Sequence, residues 1–393
     1  MGLFNKCRNF TAAREVQKAG FYPYFREISS APDTEVIVEG KKVIMIGSNN
    51  YLGLTNHPKV IEKIHWAVDK YGSGCTGSRF LNGTLDIHVE LEQKLAEFMQ
   101  RETALVFSTG FQTNLGTIST IVGKSEYILT DRADHASIVD GCRLSFGSTI
   151  KYKHNGMDDL ERVISRTPKE AGKLIVTDGV FSMEGDIVKL PRLVEIANEH
   201  DAKVLVDDAH SIGVLGNNGR GTAEHYHLED KVDLVMGTFS KSLASIGGFI
   251  AGSEEVIHYI KHFSRSLIFS ASPPPAAVAA VLATLEVMQD EPERRTRLWE
   301  ITGRMHKEFK NLGFDLGTSE TPIIPIYIGE DMKTFQFWRE LTDAGLFTNP
   351  VVAPAVPPNQ ALIRTSYTAN HTDEQLDRVL EVFEKTGKKF GVI

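Results

Sequence analysis

The sequence predicts an α/β fold: a large domain on a mostly parallel seven-stranded sheet flanked by helices, followed by a smaller α+β C-terminal domain. Three observations carry this. Between Thr103 and Gly252, short β-branched runs alternate with helix-like stretches, the pattern of βαβ units. Beyond residue 290 the texture changes to long amphipathic helices around two short apolar runs. The 393 residues, 41% hydrophobic and 24% charged, are enough for one large and one smaller core.

Taken in order, residues 1–55 contain "TEVIVEGKKVIMIG", which reads as a hairpin with Glu39-Gly40 at its turn and is expected to pack with the small domain. Residues 56–290 form the large domain. Its strands are "ALVF" (Ala104 to Phe107), "YILT" (Tyr127 to Thr130), "TIKY" (Thr149 to Tyr152), "LIVT" (Leu174 to Thr177), "VLVD" (Val204 to Asp207), "DLVMG" (Asp233 to Gly237) and "GGFIAG" (Gly247 to Gly252). Residues 291–393 form the small domain: an amphipathic helix "RRTRLWEITGRMHKEFKNLG" with a glycine stop, then "PIIPIYI", "ALIRTSYT" and a last helix from Asp373 to Lys388.

Several functions are excluded or disfavoured. A net charge of -8 without basic stripes argues against nucleic-acid binding, which needs them to displace counterions. Cys7, Cys75 and Cys142 fit neither a disulfide framework nor a zinc site, so no metal is expected and a reducing, cytoplasmic setting is. "MGLFNKCRNF" lacks a signal-peptide core, and Lys6 stands where a myristoylation signal has Ser or Thr. The uncharged stretch Ser266 to Leu285 has the length of a membrane span, but Pro273 to Pro275 break it into a loop and a buried helix from Pro274 to Met288. "GSGCTG" at Gly72 to Gly77 spells a dinucleotide fingerprint but follows a helix-like stretch instead of a strand. "GKS" at Gly123 to Ser125 lacks the first glycine of a nucleotide-triphosphate loop, with Ile118 in its place.

Ligands of open parallel sheets bind beyond the carboxyl ends of the strands, so the residues there belong together. "ALVF" runs into "STGFQTN", where Gly110 and Phe111 present backbone amides at a helix start, a site for phosphate. "YILT" leads to "DRADHAS" and His135; "VLVD" ends in "DDAH" with Asp207 and His210; "DLVMG" ends in "TFSKS" with Thr238, Ser240 and Lys241. Singly, each has a structural explanation: a surface lysine, a capping aspartate, a core histidine. Four neighbouring strand exits carrying all of them point instead to pyridoxal phosphate. Its aldehyde needs a lysine to form a Schiff base, its pyridine nitrogen needs a carboxylate to stay protonated, and its phosphate needs an anion cradle.

"VDDAHSIGVLGNNGRG" and "GTFSKSLASIGGFIAG" resemble the α-oxoamine synthases, pyridoxal phosphate enzymes of fold type I. "GSNNYLGL", "YGSGCTGSRFLNGTLDIHVELE", "FSTGFQTN", "DHASIVDGCRLS", "FSMEGD" and "FSASPPP" follow in that family's order, so the resemblance spans nearly the whole chain. It implies that Lys241 carries the cofactor, Asp207 meets the pyridine nitrogen, His210 the ring hydroxyl, and His135 the ring face. Ser182 and Ser240 join the cofactor set. Gly110, Phe111 and Thr238, with Ser270 and Ala271 of a neighbouring subunit, would hold the phosphate. Asn49, Ser78, His135 and Arg364 would meet the amino acid, Arg364 through the bidentate fork that suits a carboxylate. "GSRFLNGTLDIHVELE" and "DHASIVDGCRLSFG" look most like the members that condense L-serine with palmitoyl-CoA, releasing CoA and carbon dioxide, as catalytic homodimers. The competing expectations are a glycine-using synthase with a short acyl-CoA and a non-catalytic scaffold of the same fold.

Overall fold

The computed structural model describes residues 2–393. Strands β1 (Glu35–Val38) and β2 (Lys41–Met45) pair antiparallel around Glu39 and Gly40, whose φ values are 53° and 75°. That is the two-residue turn whose twist matches the flanking strands. Next come β3 (Thr103–Phe107), β4 (Tyr127–Asp131), β5 (Ser148–Tyr152), β6 (Lys173–Asp178), β7 (Lys203–Asp207), β8 (Leu234–Thr238) and β9 (Gly248–Gly252). They form one sheet in the order β3-β9-β8-β7-β6-β4-β5, and only β9 runs against its neighbours. β6, β8 and β9 are buried at every position, so both faces are covered and the strands read as unbroken apolar runs.

All seven expected strands form, with bounds shifted by a residue or two where ladders extend past the apolar run. The uncharged stretch begins in a short helix, Arg265–Ile268, which was not expected, and then resolves as expected into a loop and the helix Pro275–Asp290, most of whose side chains are buried. Among the described residues no helix is long and apolar enough to cross a membrane. "GSGCTG" begins where the helix Pro58–Tyr71 ends, and no strand leads into it.

Towards the C-terminus, β10 (Ile323–Gly329) is followed by β11 (Leu346–Phe347), β12 (Asn349–Val351) and β13 (Ala361–Ser366). β10, β13 and β12 form an antiparallel sheet, whereas β11 joins β2 in parallel. The strands β11 and β12 have no counterpart in the pattern reading, because "GLFTNPVV" offers only pairs of apolar residues interrupted by Asn349 and Pro350. Phe309, Phe337, Trp338, Tyr367 and Phe383 pack in a core that also takes in Ile46 beside the hairpin. The helix Glu293–Leu312 stops at Gly313, φ 98°, and the helix Asp373–Lys389 starts at a Thr372/Gln375 capping box.

The carboxyl ends of β4, β6, β7 and β8 meet the start of the helix Gly110–Ile121 at one edge. Two glycines allow that approach: a Cβ on Gly248 would stand 2.7 Å from Gly110 Cα, and one on Gly110 would stand 2.7 Å from Thr238 Oγ1. Both neighbours are fixed by backbone or by a short side chain, so neither can yield cheaply. Gly248→Ala is therefore expected to destabilise the protein by about 1–3 kcal/mol and to loosen the helix start that faces the site. A lowered thermal midpoint together with weaker cofactor retention checks it; an unchanged midpoint contradicts it.

Candidate active site

The site is a cavity of about 360 Å3 at that sheet edge, lined among others by Gly110, Phe111, His135, Ser182, Asp207, His210, Thr238, Ser240 and Lys241. Each strand exit contributes what its sequence offers. After β8 the chain turns back towards β9 in a tight loop: Ser245 N–H donates to Phe239 O (2.8 Å) and Ala244 N–H to Lys241 O (3.0 Å), with Ala244 at φ 52°. Small residues around Lys241 let this loop close, which explains their clustering in "TFSKSLAS".

Burial pushes the Lys241 amine down to about 8, opposed chiefly by the Asp207 charge and assisted by that of Arg364. The amine is thereby brought close to a neutral, nucleophilic state near physiological pH. Asp207, 3% exposed, has both carboxylate oxygens engaged: Oδ1 accepts from Ala209 N–H (2.9 Å) and Oδ2 from Asn114 Nδ2 (2.7 Å). His210 Nδ1 lies 2.7 Å from Tyr51 Oη, and burial holds this imidazole well below its ordinary value, with Lys241, Arg364 and His135 acting in the same direction. The Tyr51 phenol is itself pushed up to about 12 by burial.

The anion cradle is the start of the helix Gly110–Ile121, capped by the Thr109 side chain, which accepts from Gln112 N–H (3.1 Å). Thr238 Oγ1 stands beside it, 3.0 Å from Ser240 Oγ. His135 caps the helix Ala136–Leu144, and its ring lies 6.4 Å from that of Phe111. Arg364 comes from β13: Nε donates to Ser182 O (2.6 Å) and Nη2 to Asn49 Oδ1 (3.0 Å). No carboxylate of the described residues pairs with it, so the guanidinium is not one half of an ion pair within the chain.

Of the residues singled out in the sequence, Asn49, Arg364, Ser78, Ser270 and Ala271 do not line this cavity. Asn49 and Arg364 bond each other and reach the cavity wall through Ser182 O. The other three lie together: Ser78 bridges to Ala271, Ser108 Oγ donates to Ala271 O, and Gln112 Nε2 donates to Ser270 Oγ (3.0 Å). Four residues escaped the sequence reading. Asp178 ends β6 in register with Asp207, and following "LIVT" one residue further along the strand-exit rule would have found it. Asn114 lies one helical turn after Gly110, a detectable spacing. Ser137 and Tyr51 carried no signal.

The residues fit pyridoxal phosphate: a lysine with a lowered amine, a buried carboxylate with both oxygens anchored, neutral histidines, and free helix-start amides beside Thr238. The sequence profile of "Aminotransferase class I and II" matches residues 41–383. The chain belongs to this aminotransferase family. Within it, the chain is 55% identical over 387 residues to a serine palmitoyltransferase of Sphingobacterium spiritivorum, covering 98% of this chain and 97% of that one. It is 44% identical to an 8-amino-7-oxononanoate synthase of Thermoanaerobacter pseudethanolicus, with 96% of each chain covered. Among solved structures, the Sphingomonas wittichii serine palmitoyltransferase superposes with a TM-score of 0.97 at 39% identity over 100% of both chains. These family members are α-oxoamine synthases, as the motifs imply.

The amine of Lys241 generates a pH prediction. Borohydride trapping of an aldehyde at Lys241 in the cofactor-free protein should speed up as pH rises through about 8, where the amine loses its proton, and level off above. A rise that instead tracks an ordinary lysine near ~10.4 would contradict the lowered value.

Proposed function

We propose that this chain condenses L-serine with palmitoyl-CoA, giving 3-ketodihydrosphingosine, CoA and carbon dioxide, as a serine palmitoyltransferase. The observation that supports this substrate pair is the gradation of identity: 48–55% to four serine palmitoyltransferases, against 42–44% to four 8-amino-7-oxononanoate synthases, all across nearly the full chain.

When bound, pyridoxal phosphate supplies an aldehyde for an amino group and a ring that takes up the electron pair freed at Cα. The chain's own residues do the rest. Lys241 would hold the cofactor, and its neutral amine, once released, takes the proton from serine Cα. The new bond forms between that carbon and the acyl carbon, and CoA leaves as the thiolate. The carboxylate, now β to a ketone, departs as carbon dioxide, and Lys241 is placed to return a proton to the same carbon. Asp207 would keep a proton on the pyridine nitrogen. Arg364, without an internal carboxylate partner, orients the substrate carboxylate, with Asn49 steadying the guanidinium from behind. His135 on the cavity wall restricts the rotation that sets which Cα bond is broken.

The decisive measurement competes serine with glycine, and palmitoyl-CoA with acetyl-CoA, and identifies products by mass spectrometry. Serine and palmitoyl-CoA should dominate, with CoA and carbon dioxide in equal amounts. Preference for glycine and acetyl-CoA would overturn the substrate pair, and no condensation at all would favour the scaffold.

The same proposal includes a homodimer with shared sites. Ser270 and Ala271 stay out of their own chain's cavity, and the nearby Leu81 and Phe269 are 78% and 74% exposed, apolar surface of the kind that subunit contacts cover. Activity per chain should fall on dilution in step with the loss of dimer seen by light scattering; a fully active monomer would refute it.

A further inference from the structure

At and behind the cavity wall, two polar side chains outside the cofactor set, Ser137 in the wall and Asn114 behind it, link His135 to Asp207 by hydrogen bonds. Asn114, 1% exposed, uses Nδ2 twice: 2.7 Å to Asp207 Oδ2 and 2.8 Å to Ser137 Oγ. An ionised carboxylate only accepts, so the amide must turn its nitrogen to Asp207, and Asn114 Oδ1 is left buried without a partner. Ser137 Oγ already accepts from Asn114, and its remaining hydrogen has His135 Nδ1 2.8 Å away. Ser137 N–H points at the same Nδ1 from 3.3 Å. With two donors facing it, Nδ1 is an acceptor and the ring proton sits on Nε2. Asp178 Oδ2 steadies the residue from its other side by accepting His135 N–H at 2.8 Å.

From this proton count we infer that Asn114 and Ser137 are positioning residues that tie the orientation of Asp207 to the Nε2–H tautomer of His135. Nε2–H is then the one donor of a ring that lines the cavity, and it has no protein partner among the described residues. The same geometry resists the charged ring, since a proton on Nδ1 would meet two donors. Burial lowers the His135 imidazole as well; of the charged groups around it, Asp207 opposes that shift and Lys241 adds to it, while His210 and Asp178 complete the ionisable surroundings.

The inference rests on the catalytic reading of the site, but its test does not need turnover. In holoenzyme carrying nitrogen-15 histidine, with the His135 signals assigned by their loss in His135→Phe, the native ring should show a single Nε2–H tautomer. Ser137→Ala and Asn114→Leu should each give a mixture of tautomers and raise the titration midpoint of His135. Ser137→Thr, which keeps the hydroxyl, should restore the native signature. With serine, kcat of the two disruptive variants should fall by on the order of tenfold. Ser137→Ala removes one atom, so it carries the test alone if Asn114→Leu does not fold. An Nδ1–H tautomer in the native protein, or a native signature in Ser137→Ala, overturns the inference. If serine is not the substrate, the tautomer result is unaffected, so the two failures are distinguishable.

Discussion

Burying the Asp207 carboxylate at the end of β7 is the constraint from which the electrostatics of the site follow. Removing an isolated carboxylate from water costs several kcal/mol unless hydrogen bonds and opposite charge offset it. Both oxygens therefore have donors, from Ala209 N–H and Asn114 Nδ2. Its neighbours are arranged around it. Burial together with Asp207 itself raises Asp178 well above the usual carboxylate range, so a second negative charge on the next strand is suppressed. Burial and the two cations Lys241 and Arg364 hold His210 neutral. What remains is a carboxylate facing a lysine whose proton is loosely held, a balance suited to moving a proton at one carbon atom.

A second constraint is steric. An anion can meet the first amides of the helix Gly110–Ile121 only if that helix comes down onto the sheet edge, and Gly110 and Gly248 allow the backbones to touch. Beside them, the loop after β8 presents Lys241 only because Ser242, Leu243, Ala244 and Ser245 fold back towards β9, which begins at Gly248. The helix start that would hold the phosphate of pyridoxal phosphate and the lysine that would meet its aldehyde are thus set by adjoining backbone geometry, with the cavity between.

The amino-acid side of the site is assembled across the greatest distance in sequence. Arg364 on β13 reaches Asn49, 315 residues away, and Asn49 Oδ1 lies 3.4 Å from Tyr51 Oη, which meets His210. These contacts link the C-terminal sheet, the segment after the hairpin and the strand exits of the large sheet. Ile46 anchors the same segment in the C-terminal core. Any shift between those packed units moves the guanidinium relative to Lys241, so the placement of Arg364 is coupled to how the two cores sit against each other.

Strand positions, the reading of the uncharged stretch as a loop and buried helix, and the group Lys241, Asp207, His135 and His210 were legible because they follow local rules. Apolar periodicity marks a strand, and the chemistry gathers where a strand ends. The strands β11 and β12 were not legible, since two or three residues hold a strand only through partners supplied by β2 and β13. Nor were the roles of Asn114, Ser137 and Tyr51, ordinary polar residues whose meaning lies in what stands 2.7–2.8 Å from them. The sequence by itself determined which functional groups reach the sheet edge. Tertiary structure alone decided which of their protons and lone pairs face one another, because hydrogen bonding and burial depend on distances that no spacing along the chain encodes.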